Sequence, residues 1–574
     1  MHPPPRRDCG HADSWSTRYG NRHAAHSTRP RRSAPAVPQQ AIDEIAALYE
    51  KTITDHQIAG VTWAIVGGHG HDEAVLAHGA AGHRELEDGE PTPGSTPMGR
   101  GSISRIASLT KSFTAATILA LRDEGRLRLD DPVEQHLPEA AGAFDSPADA
   151  RPVTLRDLLS MNSGLVTDNP WGDRQESMTR EAFAQLLQGG LGRSNTPGTR
   201  YEYSNTGFAM LGRVIDEITG RDYTVEIHER FLDPLGMVDT AFETSGLDLA
   251  RLATGHRLNE RSDATRFEAV PFDQPGVYGA MAGLYSTVDD IATWVRFLAA
   301  ADAPDAAGRS QDLLSTGSRR EMQQIHRHHV LPPLPAGTDG TSPGFDRIRG
   351  YGYGLAVDVL PDLGELVSHS GGYPGYGAFM QWHRDSGVGV VALANSKYAP
   401  LGVLSVQALQ ILAKHEPRLL ADRIPTPAPR TLQAAGAALD WLRGAGDALA
   451  DTWFADNMDL DIPRAERRRR LEQALEQAGL ELGALGSLTP EGAVPLSQTH
   501  LRWTVPGAQQ EEESSEPTQA PRRPGAPGDQ AKHGSADGAR DGGDGAKDLR
   551  IDLQMDPRRE ALVQGLDTVA VPRA

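Results

Sequence analysis

The chain has 574 residues, with 57 Lys and Arg against 77 Asp and Glu, for a formal net charge of −20. This acidic balance excludes a broad electrostatic grip on nucleic acid or anionic lipid. One cysteine, Cys9, excludes an internal disulfide and any paired-cysteine metal or redox site, and no apolar run reaches the roughly 18 residues of a membrane span.

Residues 1–38 hold seven Arg, no Lys and two Asp among Pro, His and Ser, which predicts a disordered arm. No continuous apolar core occurs there, so the expectation is a cytoplasmic protein without a secretory signal. Residues 39–415 read as one folded domain. Ile42, Ile45, Ala46, Leu48 and Tyr49 recur at helical spacing, and Val61–Val66 and Ala74–Gly79 read as strands around a Gly/His-rich turn. Residues 416–430 form a proline-spaced linker. A small α+β domain is expected over 431–574, helical from Leu432 through Phe454 and again from Arg464 to Gln477, with strands at Leu501–Val505 and Leu549–Met555. Between those strands, residues 508–547 contain no Val, Ile, Leu, Met, Phe, Tyr or Trp. Such a segment cannot offset its ordering entropy, so it reads as a disordered insertion.

Three segments carry chemistry. In Ser108-Leu-Thr-Lys111, apolar Phe113, Ala116, Ala120 and Leu121 predict a helix ended by Gly125. Ser108 then lies at the helix start with Lys111 one turn on, on the same side. The helix N-terminus stabilises developing negative charge, and the amine can take the hydroxyl proton if its pKa is lowered. Alone, Ser-x-x-Lys is common and equally suits an ordinary capped helix. Tyr203-Ser-Asn205 enters a second helix running towards Gly220, giving a phenol for proton exchange and an amide for the substrate. His369-Ser370-Gly371-Gly372 follows a strand-like stretch, and a glycine there lets a substrate backbone approach an edge strand. Alone, it suits a glycine-rich hairpin end.

Together and in this order, Ser108-x-x-Lys111, Tyr203-Ser-Asn205 and His369-Ser-Gly371 resemble the serine β-lactamase-like superfamily: class C β-lactamases, DD-carboxypeptidases, D-aminopeptidases and family VIII esterases. The segments Val153–Leu165, Pro234–Thr240 and Gly283–Asp290 resemble the family's landmarks as well, and the likeness spans about residues 40–415. It implies an α/β chain of the α+β type, with a β-lactamase/transpeptidase-like antiparallel sheet flanked by helices beside a mainly helical subdomain. It implies Ser108 as the nucleophile of an acyl-enzyme, with Lys111 and Tyr203 sharing base and acid duties in an order left open. Asn205 would hold the acyl side of the substrate. The backbone N–H groups of Ser108 and Gly372 would form the oxyanion hole, with His369 and Gly371 also lining the substrate site. No cofactor or metal is required. The expected partner is a small-molecule or peptide substrate, not nucleic acid or membrane, and the oligomeric state stays open.

Two departures matter. His369 stands where β-lactamases and DD-carboxypeptidases usually carry Lys, and a histidine with an ordinary pKa of about 6.5 is mostly neutral at pH 7. A weaker carboxylate anchor favours ester or amide hydrolysis, D-amino-acid-containing substrates included, over antibiotic or peptidoglycan cleavage. A β-lactamase or DD-carboxypeptidase and a catalytically silent scaffold are the alternatives. Met161-Asn162 replaces a frequent His-Thr pair, with an effect expected on packing or pocket lining only. His69 and His71, the group His326, His328 and His329, and the run Arg467–Arg470 are expected to be solvated surface. Specificity is expected from loops at Asp168–Arg174, Arg266–Tyr278 and Pro332–Arg347.

Overall fold

Every residue of the strand Gly60–Val66 (β1) is buried, because β1 is covered on both faces. Val61, Trp63 and Ile65 enter one core and Ala64 and Val66 another, as the two-residue period of a strand requires. β1 belongs to an eight-stranded sheet with Val75–Gly82 (β2), Arg327–His329 (β3), Ile348–Tyr351 (β4), Ala356–Leu360 (β5), Gly364–Tyr373 (β6), Tyr376–His383 (β7) and Gly389–Ala394 (β8). The order is β2-β1-β8-β7-β6-β5-β4-β3, and every neighbouring pair is antiparallel.

The computed structural model describes residues 34–87, 90–91, 95–144, 150–258, 267–303, 313–329, 348–397, 399–422, 425–508 and 547–573. Nearly all of the expected N-terminal arm, nearly all of the 508–547 insertion and the whole Pro332–Arg347 loop lie outside the described residues. The chain divides into two compact units, Met1–Asp422 and Arg423–Ala574. Among the described residues no helix is long and apolar enough to cross a membrane.

In the first unit, helix Gln39–Asp55 (α1) buries Ala41, Ile45, Tyr49 and Thr52 on one stripe, and Tyr49 stacks on Trp63 of β1 with ring centroids 5.5 Å apart. Leu401–His415 packs into the same core, so these two helices cover one sheet face. The opposite face meets the larger core, which holds helices Thr110–Asp123 (α2), Asn205–Thr219 (α3) and Val288–Ala299 (α4). A mixed α+β architecture with a β-lactamase/transpeptidase-like fold results.

The second unit has a four-stranded antiparallel sheet ordered Val494–Ser497, His500–Val505, Lys547–Met555, Val563–Pro572. Leu549, Ile551, Leu553 and Met555 alternate inward against helices Pro429–Leu442 and Arg464–Gln477. The continuous helix expected from Leu432 through Phe454 is instead two, Pro429–Leu442 and Ala448–Trp453. Gly444, at φ +103°, takes a conformation that no helix continues through. Arg467 is not solvated: it is buried and donates to the carbonyls of Ile462, Met458 and Leu566. The other three arginines of the run do reach carboxylates, Arg468 on Asp447 and Arg469 and Arg470 on Glu466.

Candidate active site

Ser108 does not open the helix directly. The chain pairs Ser104 and Arg105 with Ser286 and Tyr285 in a short ladder, turns through Ala107 at φ +48°, makes a single 3-10 turn over Ala107–Leu109, and then enters α2. A positive φ at a residue with a Cβ costs about 1–3 kcal/mol and persists only where the surroundings impose it. Ala107 is fully buried, as is every residue of α2 from Thr110 to Leu121. The buried hydroxyls are satisfied: Ser112 donates to Leu109 O, Thr114 to Ala280 O and Thr117 to Phe113 O. The turn that carries Ser108 thus rests on a helix buried from Thr110 to Leu121.

Lys111 Nζ lies 3.0 Å from Ser108 Oγ, 2.8 Å from Asn205 Oδ1 and 3.1 Å from Met281 O. The Asn205 amide is oriented by its Nδ2, which donates to Asn169 Oδ1 at 2.9 Å, so Oδ1 faces the lysine. An ammonium donates to all three of these oxygens, whereas a free amine donates to the two carbonyl oxygens and accepts from the Ser108 hydroxyl. Burial pushes the Lys111 pKa down to about 7, against the pull of Asp173, Asp168 and Glu176. At that value a large share of the amine is free at neutral pH.

Tyr203 arrives on an extended segment before α3. Its ring faces the lysine, with Nζ 4.9 Å from the centroid, and it lines the same cavity as Ser108. Burial holds the phenol pKa well above its ordinary value against the lowering effect of Ser108, so Tyr203 is a protonated phenol. Ser204 caps α3 by accepting from Gly207 N at 3.2 Å. Asp168 accepts from the N–H groups of Asn205 (2.7 Å) and Thr206 (2.9 Å), placing a carboxylate at the positive helix end. The Met161 departure has a structural role: at φ +56°, Met161 takes the N–H of Glu202 on its carbonyl and that of Ser204 on its sulfur.

His369, Gly371 and Gly372 lie within β6, and the two glycines fall at its hairpin end: Gly372 pairs with Gly377, and Tyr373 with Tyr376 across the turn at Pro374 and Gly375. His369 Nδ1 lies 2.7 Å from Ser370 O, an acceptor, so that nitrogen carries the proton. Nε2 then accepts from the Tyr351 hydroxyl at 2.8 Å. Burial, and next Lys111, push the His369 pKa down to about 3, leaving a neutral ring at the start of the third motif. A Cβ on Gly372 would meet nothing within 4 Å, so its strand edge is open to the cavity.

That cavity measures about 620 Å³, and Ser108, Tyr203, His369, Gly371 and Gly372 are part of its lining. Also in its wall are Asp173, Tyr201, Arg349, Tyr351 and Lys397, which the motifs did not point to. Of these, Asp173 falls in the Asp168–Arg174 loop expected to set specificity. His329 is a correction: not solvated surface, it stacks on Tyr201 at 4.5 Å and lines the cavity. His326 likewise stacks on Tyr353 at 3.9 Å and bonds Glu321 O. Stacking on tyrosines at the sheet edge leaves no signal in local composition.

The beta-lactamase family model matches residues 40–413. The chain belongs to the beta-lactamase family. Its members are generally serine hydrolases, and the fold described above is theirs. Protein Rv1367c of Mycobacterium tuberculosis (strain ATCC 25618 / H37Rv) is 30% identical over 397 residues, covering 63% of this chain and 92% of that protein. Protein flp of Staphylococcus aureus (strain COL) is 27% identical over 305 residues, 51% of this chain and 53% of flp. Among solved structures, the octameric penicillin-binding protein homologue from Pyrococcus abyssi superposes with a TM-score of 0.52 at 26% identity, over 65% of this chain and 77% of that one.

Proposed function

We propose that residues 39–415 form a serine hydrolase domain that cleaves an ester or amide bond through an acyl-enzyme on Ser108, with 431–574 a separate α+β domain. The observation that carries this reading is the partner set of Lys111. Its Nζ is within hydrogen-bond distance of Asn205 Oδ1, Met281 O and Ser108 Oγ; as a free amine it donates to the two carbonyl oxygens and turns its lone pair to the Ser108 hydroxyl.

Ser108 Oγ attacks the substrate carbonyl carbon while its proton passes to Lys111 Nζ. The oxyanion is received by the N–H groups of Ser108 and Gly372. As the intermediate collapses, the bond to the leaving alkoxide or amine breaks and Tyr203 protonates that group. Lys111 passes its proton to the Tyr203 phenolate. Water then attacks the acyl ester while Lys111 accepts its proton; the acyl–Oγ bond breaks, Lys111 hands that proton to Ser108 Oγ, and the acid leaves with serine and free amine restored. Lysine is the first acceptor because its pKa lies near neutrality, whereas the phenol is held protonated. His369 supplies no fixed cation to a substrate carboxylate, which favours ester and amide substrates over β-lactams and peptidoglycan stems.

The test compares wild type with Ser108→Ala on short esters, D-aminoacyl anilides, D-alanyl-D-alanine peptides and a chromogenic cephalosporin, with a fluorophosphonate probe for covalent labelling. Turnover and labelling should both vanish in the variant. Turnover that survives the substitution would overturn the reading.

A further inference from the structure

Asp173 lines the cavity at the end of the segment that wraps Asn205. Asn169 bonds the Asn205 amide, and a Cβ on Gly172 would come within 3.1 Å of Asn205 Nδ2. The carboxylate therefore stands in the cavity wall beside the segment that packs on Asn205, the residue to which the family resemblance gives the acyl side of the substrate. Of the charged groups that act on Lys111, Asp173 acts most strongly.

Its ion-pair partner is unlike those of the other charged groups in the wall. Glu202 is satisfied by neutral donors, the Thr167 hydroxyl at 2.7 Å and Asn195 Nδ2 at 3.1 Å. Arg349 is held by both oxygens of Asp358 at 2.8 and 2.6 Å. Asp173 instead accepts from Lys397 Nζ at 2.9 Å, and the side-chain exposures are 7% for the carboxylate and 38% for the lysine. A buried fixed anion is thus neutralised by a half-exposed cation on a flexible four-carbon stem.

We propose that Asp173 is the recognition point for an ammonium group on the acyl side of the substrate, with Lys397 as its intramolecular stand-in. This rests on the serine hydrolase reading and narrows its substrate class to aminoacyl esters and amides. Removing one partner from a buried pair is costly because the other charge is left uncompensated. A substrate ammonium meets that demand by taking the place of the lysine, whose strongly hydrated head returns to water and regains rotamer freedom. A substrate carboxylate docked on Lys397 would instead bring a second anion against Asp173.

The test uses the full chain and three p-nitroanilides: of D-alanine, of N-acetyl-D-alanine and of N-succinyl-D-alanine. The readout is the ratio of kcat/KM for the free-amine substrate to that for the acetylated one. Wild type should favour the free amine by about tenfold or more, as a charge-assisted bond allows. Lys397→Met should raise the ratio through a lower KM for the free amine, because the internal competitor is gone. Asp173→Asn should bring the ratio to about one. A wild-type ratio of one, a preference for the succinyl substrate, or a ratio that Lys397→Met leaves unmoved would each overturn the proposal. Should Asp173→Asn fail to fold, Lys397→Met decides alone. Ser108 that labels with a fluorophosphonate while the ratio sits at one sinks this inference only; Ser108 that does not label sinks the hydrolase reading and this inference with it.

Discussion

The carbonyl oxygen of Ile106 stands where a side chain on Gly371 would begin: a Cβ at 371 would come within 2.3 Å of it, and within 3.0 Å of Ala378 Cβ. Strand β6 can therefore lie against the turn that carries Ser108 only because residue 371 has no side chain. Gly371→Ala should push the strand off the turn, costing about 1–3 kcal/mol of stability and about a hundredfold in kcat/KM through misplaced reacting groups. Gly372→Ala adds its methyl to open cavity, so its melting temperature should stay near wild type while KM for bulky substrates rises. Thermal melts and steady-state kinetics on both variants check the contrast.

Beneath the site, Arg105 and Glu176 form an ion pair of 2.8 Å, each side chain only 1% exposed. Arg105 also lies 3.9 Å from the ring centroid of Tyr373, at the end of β6, and donates to Ala282 O. Removing the guanidinium leaves Glu176 buried without its counter-charge. Arg105→Met should cost about 3–5 kcal/mol in urea unfolding, and the double variant Arg105→Met/Glu176→Leu should recover much of that loss. A double variant as unstable as the single one would show that the pair matters through packing instead.

How far the site could be read beforehand depended on sequence distance. The Ser108–Lys111 contact follows from helical spacing, and the arrival of Tyr203 and Asn205 followed from the family resemblance. The left-handed Ala107 left no sign, because alanine gives no hint of a positive φ and the conformation is imposed by buried surroundings. Asp173 and Lys397 are 224 residues apart, and nothing local to either predicts their pairing. The strand readings at Val61–Val66 and Ala74–Gly79 meet β1 and β2, and those at Leu501–Val505 and Leu549–Met555 meet two of the four strands of the second unit, whereas the extent of β6 was underestimated. Its Ser-Gly-Gly sequence resembles a turn, and only pairing with β7 makes it strand.

His369 has a sign that solution stability can read. Its folded pKa, about 3, lies below the ordinary histidine value of 6.5. The unfolded chain therefore binds a proton that the folded chain refuses between these values. Stability contributed by the neutral ring is complete above pH 6.5 and falls as pH drops towards 3. At pH 5 the loss should be on the order of 2 kcal/mol, by the 1.36 kcal/mol per pH unit of such linkage. His369→Gln, which cannot titrate, should show a shallower decline in unfolding free energy from pH 7 to 5. Equal slopes would mean that the ring is charged or solvated in the folded protein.

Lys111 makes the corresponding prediction for rate. With a pKa near 7, the free amine proposed to accept the Ser108 proton is lost as pH falls, so kcat/KM should drop tenfold per unit below about pH 7 and level off above it. The carboxylate of Asp173 holds that pKa up against burial, so Asp173→Asn should stabilise the free amine and move the acid limb to lower pH. This shift should appear with neutral esters as well as with aminoacyl ones, because it acts on the base and not on substrate binding. Lys111→Arg places a permanently charged group in the same position, where it can donate to Ser108 but not deprotonate it. That variant should lose about 10²–10⁴-fold in kcat/KM at every pH tested, with no acid limb near 7. A profile for Asp173→Asn displaced to higher pH would contradict the assignment of Lys111 as the base, since loss of a neighbouring anion cannot raise the pKa of a lysine.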